Sequence, residues 1–109
     1  MTTEASVLRA VRRAVNLDGR VRLVRNNTGF DLERWVRYGL GTGGADLVGL
    51  IRATGRGIAL EVKTDSGRLS RDQQTWLAAF RRCGGFAAVV RSPDEAIAAV
   101  DRACAGASE

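Results

Sequence analysis

The stretch that decides the fold is DLVGLIRATGRGIALEVK, residues 46–63. Apolar residues fill its two ends, and the short segment between them carries a Thr-Gly-Arg-Gly turn. This pattern predicts two strands, residues 46–51 and 58–63, that are joined by a tight turn. Because a tight turn connects neighbouring strands in opposite directions, we expect an antiparallel hairpin.

Three charged residues lie at one end of this predicted hairpin. Side chains alternate along a strand, so Glu61 and Lys63 point to the same face, about 6.5–7 Å apart along the strand. Asp46 begins the first strand and Glu61 lies near the end of the second. In an antiparallel pair such positions are neighbours, and we expect the two carboxylates to meet beside Lys63.

Hydrophobic periodicity and turn signals predict the other elements. They are a helix over residues 3–15, a strand over 21–26, a polar stretch at 26–29, a strand over 33–38, a helix over about 71–82 with Ser70 as N-cap, a strand over 86–90 and a helix from 92–93 to about 104. The order α-β-β-β-β-α-β-α predicts an α/β fold, with a mixed sheet flanked by helices. We expect one domain over residues 1–109, with a frayed tail at 106–109.

The composition excludes several kinds of chemistry. The 109 residues include no histidine, which excludes His-based acid–base catalysis and ordinary zinc sites. Any metal is then expected to be a hard ion held by oxygen atoms, such as Mg²⁺ or Mn²⁺. Cys83 and Cys104 are expected to be small buried residues of a cytosolic protein. We find no membrane-spanning or signal pattern, and we expect a cytoplasmic location without membrane contact.

The charge balance favours a polyanionic partner. The net charge is +5, and the basic residues are sixteen arginines and one lysine, Lys63. Arginine-rich usage also fits a GC-rich genome, but it makes the single lysine stand out. The arginines suit contacts with DNA phosphates, which position DNA without reading its sequence, although a solvated face is the default for each.

Two further polar residues interrupt apolar stripes. On the first predicted helix, Glu4 falls on the stripe of Val7, Leu8, Val11 and Val15. On the second, Gln73 falls on the stripe of Leu69, Trp76, Leu77 and Phe80. A core-facing glutamate is costly unless its charge is paired or bound to a metal, although a carboxylate also suits the start of a helix. Gln73 by itself also fits a solvated position at the helix edge.

Several segments, in this order, are similar to one nuclease family. They are Arg25-Asn26-Asn27-Thr28-Gly29, Gly44-Ala45-Asp46-Leu47, Leu60-Glu61-Val62-Lys63, Gly67-Arg68-Leu69-Ser70-Arg71-Asp72-Gln73, Cys83-Gly84-Gly85-Phe86 and Val89-Val90-Arg91-Ser92. Together with Glu4, they resemble the VRR-NUC domain of the PD-(D/E)xK nuclease superfamily. The resemblance covers nearly the whole chain. It is a resemblance to stand-alone members of that family, which are similar to phage proteins that act on branched DNA, including four-way junctions.

The resemblance implies a restriction-endonuclease-like core and a role for each matched residue. Glu4, Asp46 and Glu61 would bind Mg²⁺ or Mn²⁺ with the Val62 carbonyl, Lys63 would be the catalytic lysine, and Gln73 would reach back to the site from its helix. We expect DNA contacts from Arg25, Asn27, Arg37 and Arg68, which lie near the predicted site.

The leading hypothesis is therefore a metal-dependent, structure-selective DNA endonuclease that acts on four-way junctions or other branched DNA. Symmetric cutting of two strands needs two active sites, so we expect a homodimer. The alternatives are a catalytically inactive DNA-binding module on the same fold and a partner-binding domain with no nucleic-acid role. No nucleotide cofactor is expected, because the Gly39-x-Gly41-x-x-Gly44 pattern leads into a strand rather than a helix.

Overall fold

The computed structural model describes residues 2–27, 29–31, 33–34 and 36–109. In chain order its elements are α1 (Glu4–Asp18), β1 (Val21–Arg25), β2 (Gly29–Asp31), β3 (Val36–Tyr38), β4 (Leu47–Ile51), β5 (Gly57–Val62), α2 (Arg71–Arg82), β6 (Phe86–Val90) and α3 (Pro93–Cys104). The predicted α/β class is confirmed, with a mixed sheet flanked by helices. Within these ranges, no helix is both long and apolar enough to cross a membrane.

The main sheet is built around the predicted hairpin. Its four strands run in the order β1-β4-β5-β6, in which β4 pairs antiparallel with β1 and β5, and β6 pairs parallel with β5. Because side chains alternate along β5, Ile58, Leu60 and Val62 pack into the core with α1 and α3. Ala59 lies on the other face and packs with Leu77 of α2. The helices therefore cover both faces of the sheet.

Helix α1 begins at a capping box and packs through one apolar stripe. Thr3 Oγ1 accepts the Ser6 N–H at 3.1 Å, and Ser6 Oγ accepts the Thr3 N–H at 3.2 Å. The helix runs to Asp18, beyond the predicted end at residue 15, and stops at Gly19, whose φ of 89° is left-handed. Its buried residues are those of the predicted stripe: Val7, Leu8, Val11 and Val15.

The segment between β1 and β4 differs in detail from the prediction. Strands β2 and β3 form a separate antiparallel pair of three residues each. The sequence pattern does not predict β2, and the strand predicted over 33–38 has a turn at Glu33 and Arg34. Strands this short are stabilised by pairing with each other, and they show too few alternating positions to give a sequence signal.

Both edge strands of the main sheet have backbone groups that are bonded from outside the sheet. At β1, Asn16 Oδ1 accepts the Leu23 N–H at 2.8 Å, and Asn16 Nδ2 donates to the Leu23 carbonyl at 3.1 Å. At β6, the Ala87 N–H donates to the Ser108 carbonyl at 3.0 Å. The tail over 106–109, for which we expected fraying, thus contacts the sheet edge.

The two cysteines are free and exposed, so the prediction that they are buried is wrong. Cys83 is the C-cap residue of α2, and Cys104 is the last residue of α3. Side chains at a helix end extend past the face that packs on the sheet. Composition gives the number of cysteines but not their places in the fold, so it does not predict that they are exposed.

Candidate active site

Asp46 and Glu61 meet at one end of the β4–β5 hairpin. The strand register pairs Leu47 with Leu60, so the next position outward sets Asp46 opposite Glu61. The Asp46 N–H donates to Glu61 Oε1 at 3.2 Å, and the Val62 N–H donates to Asp46 Oδ2 at 2.9 Å. The structure therefore brings together the two carboxylates that the strand pattern places at this corner.

Two side chains converge on the other oxygen of Glu61. Lys63 Nζ lies 3.7 Å from Glu61 Oε2, and Gln73 Nε2 donates to the same oxygen at 3.1 Å. Glu61 is 1% exposed and Lys63 is 9% exposed, and these are the buried charged residues among the described positions. The face shared by Glu61 and Lys63 is thus turned into the molecule and met by α2.

The Glu61 carboxyl is held where its charged form is unfavourable. Burial is the largest cause that raises the pKa of Glu61 to about 7, the charge of Asp46 raises it further, and the Lys63 ammonium opposes the shift. A buried acid beside a second acid ionises readily only when a cation compensates the charge. The electrostatics of the pair therefore favour binding of a positively charged species.

Gln73 reaches Glu61 because it also starts helix α2. Ser70 Oγ accepts the Gln73 N–H at 3.1 Å, and Gln73 Oε1 accepts the Ser70 N–H at 2.9 Å. This reciprocal capping box fixes the Gln73 carbonyl oxygen on the helix start and leaves its amide nitrogen to face Glu61. The expected N-cap at Ser70 is confirmed, and Gln73 is half-buried rather than fully solvated.

The comparison with protein families agrees with this geometry. The family model of the VRR-NUC domain matches residues 4–94. The chain belongs to the VRR-NUC domain family. It is therefore a nuclease-type domain, and the match spans α1, the hairpin and α2, which together carry the candidate residues. No curated protein matches the chain.

The donor set of this VRR-NUC domain fits a hard divalent ion in part. Asp46 and Glu61 supply carboxylate oxygens, and Mg²⁺ typically takes one or two carboxylates and completes its shell with water and phosphate oxygens. Among the described residues, no three acidic or cysteine side chains lie close enough to hold a metal together. The two-carboxylate pair is compatible with Mg²⁺ or Mn²⁺, but the predicted third acid, Glu4, does not complete it here.

The prediction that Glu4 faces the core is wrong. Glu4 lies in the first turn of α1 and is exposed, whereas its place on the apolar stripe predicts that it faces the core. The buried stripe begins only at Val7, and residues 2–5 are all exposed. The role of Glu4 as a metal ligand stays a prediction.

Val62 lies beside Asp46 in the VRR-NUC site. A residue in a strand directs its N–H and its carbonyl to the same side. Because the Val62 N–H donates to Asp46 Oδ2, the Val62 carbonyl is directed to the side of the strand where Asp46 lies. The role of this carbonyl as a metal ligand stays a prediction.

The predicted DNA-contacting residues are only partly described. Arg25, Asn27 and Arg68 are exposed, and Arg25 and Asn27 flank Asn26, whose N–H donates to the Asp46 carbonyl at 2.8 Å. The side chain of Arg37 lies outside what the structure describes. DNA contact by these four residues stays a prediction.

The structure reveals contacts of two residues that the sequence analysis did not select. Arg91 Nη1 donates to the carbonyls of Thr64 and Gly67, in the loop that follows Lys63. A Cβ on Gly67 would lie 3.3 Å from two carbons of the Lys63 stem, so this loop packs against the lysine. Asn26 contacts the main chain around Asp46. Arg91 and Asn26 both lie in segments that resemble the family, and this resemblance was the only sequence signal that could have selected them.

Proposed function

We propose that this VRR-NUC protein is a Mg²⁺- or Mn²⁺-dependent endonuclease that hydrolyses phosphodiester bonds in DNA. The convergence of Asp46 and Glu61 beside the Lys63 ammonium is the observation that supports it. A pair made only for stability gains nothing from a second acid that makes ionisation of Glu61 harder. Perturbed acids of this kind are typical of functional sites.

In this proposal Asp46 and Glu61 hold the divalent cation, with the Val62 carbonyl as a further oxygen donor. Such an ion lowers the pKa of water and polarises a phosphoryl oxygen. Gln73 donates to Glu61 Oε2 and so fixes the orientation of that carboxylate. The hydrogen bonds of the pair leave the remaining oxygen lone pairs for the ion.

Lys63 supplies a compact positive charge at the same corner. Its N–H donates to the Val90 carbonyl at 3.1 Å, which fixes its main chain on β6. Its stem packs against Gly67, and its ammonium points to Glu61. From there Nζ donates a hydrogen bond to the attacking water or to the phosphate oxygen that gains charge in the transition state.

DNA is the proposed partner, and branched DNA such as a four-way junction is the proposed substrate. The net charge of +5 supports a polyanion, and the preference for branches follows from the resemblance to phage-type members. One active site cuts one strand, so symmetric cutting of a junction needs two protomers around a two-fold axis. A homodimer is therefore part of the proposal, and so is the cytoplasmic location expected from the sequence.

Labelled four-way junction, flap, nicked, duplex and single-stranded DNAs test this proposal with Mg²⁺, Mn²⁺ or EDTA. We expect cleavage only with a divalent ion, and two opposed nicks in one junction. Glu61→Ala and Lys63→Ala should each lower kcat on the order of a thousand-fold. Lys63→Arg should lose most activity as well, because a guanidinium keeps the charge but not the shape of the ammonium.

Asp101→Ala provides a matched control, since it removes an exposed acid that pairs with Arg20 at 2.8 Å on the molecular surface. Its cleavage rate should equal that of the wild type. Retained nicking by purified Glu61→Ala protein would refute the assignment. Metal-independent DNA binding without cleavage by the wild type would indicate an inactive DNA-binding module instead, and absence of any DNA affinity would indicate a partner-binding domain.

A further inference from the structure

Asn26 contacts the main chain on both sides of Asp46. Its N–H donates to the Asp46 carbonyl at 2.8 Å, which continues the β1–β4 pairing by one more position. Its side-chain nitrogen Nδ2 donates to the Ala45 carbonyl at 3.1 Å. A single residue thus binds the carbonyl before Asp46 and the carbonyl of Asp46 itself.

The Ala45–Asp46 peptide unit links Asn26 to Glu61. The Ala45 carbonyl and the Asp46 N–H belong to one planar group and point in opposite directions. Asn26 bonds the carbonyl on one side, and Glu61 Oε1 accepts the N–H on the other side at 3.2 Å. If the Asn26 bond is lost, this plane is free to rotate, and rotation would weaken the bond between Asp46 and Glu61.

Asn26 also fixes the glycine-rich loop that leads into Asp46. The Leu40 N–H donates to Asn26 Oδ1 at 3.2 Å, and the Leu40 carbonyl accepts the Trp76 Nε1–H of α2 at 2.9 Å. A Cβ on Gly44 would lie 2.8 Å from Asn26 Nδ2, so the absence of a side chain at Gly44 permits this approach. The loop is therefore held between β1 and α2.

We propose that Asn26 is the positioning residue for the Asp46 carboxylate. Its side chain must donate to one carbonyl and accept from one N–H at the same time, which an amide can do and a carboxylate, hydroxyl or methyl group cannot do in the same geometry. Asn26 does not touch the reacting atoms and acts through the Ala45–Asp46 peptide. This inference rests on the function proposed above for Asp46.

Asn16 of α1 offers a matched control, because its side chain bonds a residue of β1. Its side chain also donates to one carbonyl and accepts one N–H, both of Leu23, and it is half-buried like Asn26. Asn26→Ala and Asn16→Ala therefore each remove one side-chain bond to a carbonyl and one from a main-chain N–H. Both variants should lose similar thermal stability, whereas only Asn26→Ala should disturb Asp46.

Amide hydrogen exchange of the metal-free protein is the first measurement. The Asp46 amide should exchange at least about ten-fold faster in Asn26→Ala than in Asn16→Ala, beyond any change in global stability. The second measurement is cleavage. In Asn26→Ala, kcat should fall on the order of 10- to 100-fold and the Mn²⁺ concentration for half-maximal rate should rise, while KM for DNA stays unchanged. Asn26→Asp keeps the acceptor but loses the donor and should behave like Asn26→Ala.

Equal Asp46 exchange in the two alanine variants would overturn the inference. A kcat of folded Asn26→Ala equal to that of the wild type would overturn it as well. The exchange measurement needs neither metal nor cleavage. If the wild type cleaves no DNA, the proposed function fails, and the exchange result still decides whether Asn26 holds the Ala45–Asp46 peptide in place. If exchange responds to Asn26→Ala but kcat does not, the residue is structural and the positioning role is refuted.

Discussion

At Glu61 the folded chain holds a proton more strongly than the unfolded chain does. Burial, followed by the Asp46 charge, raises the pKa of Glu61 from 4.5 to about 7. Between these pH values the folded protein binds more protons than the unfolded protein, so the free energy of unfolding falls as the pH rises. The stabilising effect of the neutral carboxyl is present at lower pH and is lost as the pH increases through this window.

The first prediction concerns this pH dependence. In EDTA the Tm of the wild type should decrease from about pH 5 to about pH 8, and Glu61→Gln should remove most of that slope because its side chain does not titrate. Mn²⁺ should oppose the decrease, since a bound cation favours the ionised carboxylate. Thermal unfolding across the pH series, with and without Mn²⁺, gives the measurement. Equal slopes for the wild type and Glu61→Gln would show that Glu61 is not the group responsible.

Helix α2 connects helix capping with the geometry of the site. Gln73 is the third helical residue, and it is the only described residue that both caps a helix and bonds Glu61. The loop before β4 also packs on the start of α2, because a Cβ on Gly43, where φ is +81°, would collide with the Asp72 carbonyl group. A change at the start of this helix should therefore reach the carboxylate pair.

A comparison of two serine N-caps tests this connection. Ser70 Oγ accepts the Gln73 N–H and Ser92 Oγ accepts the Glu95 N–H, each at 3.1 Å. Ser70→Ala and Ser92→Ala should each cost about 1 kcal/mol of unfolding free energy. Only Ser70→Ala should also lower kcat, by roughly three- to ten-fold, because Gln73 becomes less well held on Glu61. The measurements are chemical denaturation and cleavage kinetics. Equal kcat in both variants would show that the N-cap of α2 does not affect the active site.

At the scale of the whole molecule, positive charge governs the proposed encounter with DNA. The chain has sixteen arginines and one lysine against twelve acidic residues. Neutralisation of each DNA phosphate by such a residue releases counterions, which makes the affinity for DNA depend on salt concentration. Arg25 and Arg68 are exposed and belong to segments that flank Asp46 and Lys63. Arg52 is exposed as well, but it follows β4 at the opposite end of the hairpin.

We predict that the logarithm of DNA affinity, measured in EDTA, falls linearly with the logarithm of salt concentration. Arg25→Ala and Arg68→Ala should each make the slope shallower by about 0.9, which is the contribution of one phosphate contact. Arg52→Ala removes the same charge and should leave the slope unchanged. Fluorescence anisotropy over a salt series measures all four proteins. Equal slopes for all three variants would show that net charge, and not contact at these positions, determines binding.

Local sequence patterns determined the central hairpin, the N-cap at Ser70 and the two faces of β5. Alternation along a strand and capping at a helix start depend on neighbours in the chain, so Glu61, Lys63 and Ser70 are readable from the sequence. The pairing of Asp46 with Glu61 followed because a tight turn fixes the register of its strands. The residues of the α1 stripe followed from helical periodicity in the same way.

The tertiary structure decided what depends on contacts between distant segments. Periodicity assigned Glu4 to the apolar face, but in the folded chain its side chain is exposed. Strand β2 exists through its pairing with β3, and three residues give no readable period. Asn26 gave no local signal as a partner of Asp46, because nineteen residues of the chain lie between the two and only folding brings them together. Sequence periodicity fixes which way a side chain faces, whereas only the packing of whole elements fixes what it meets.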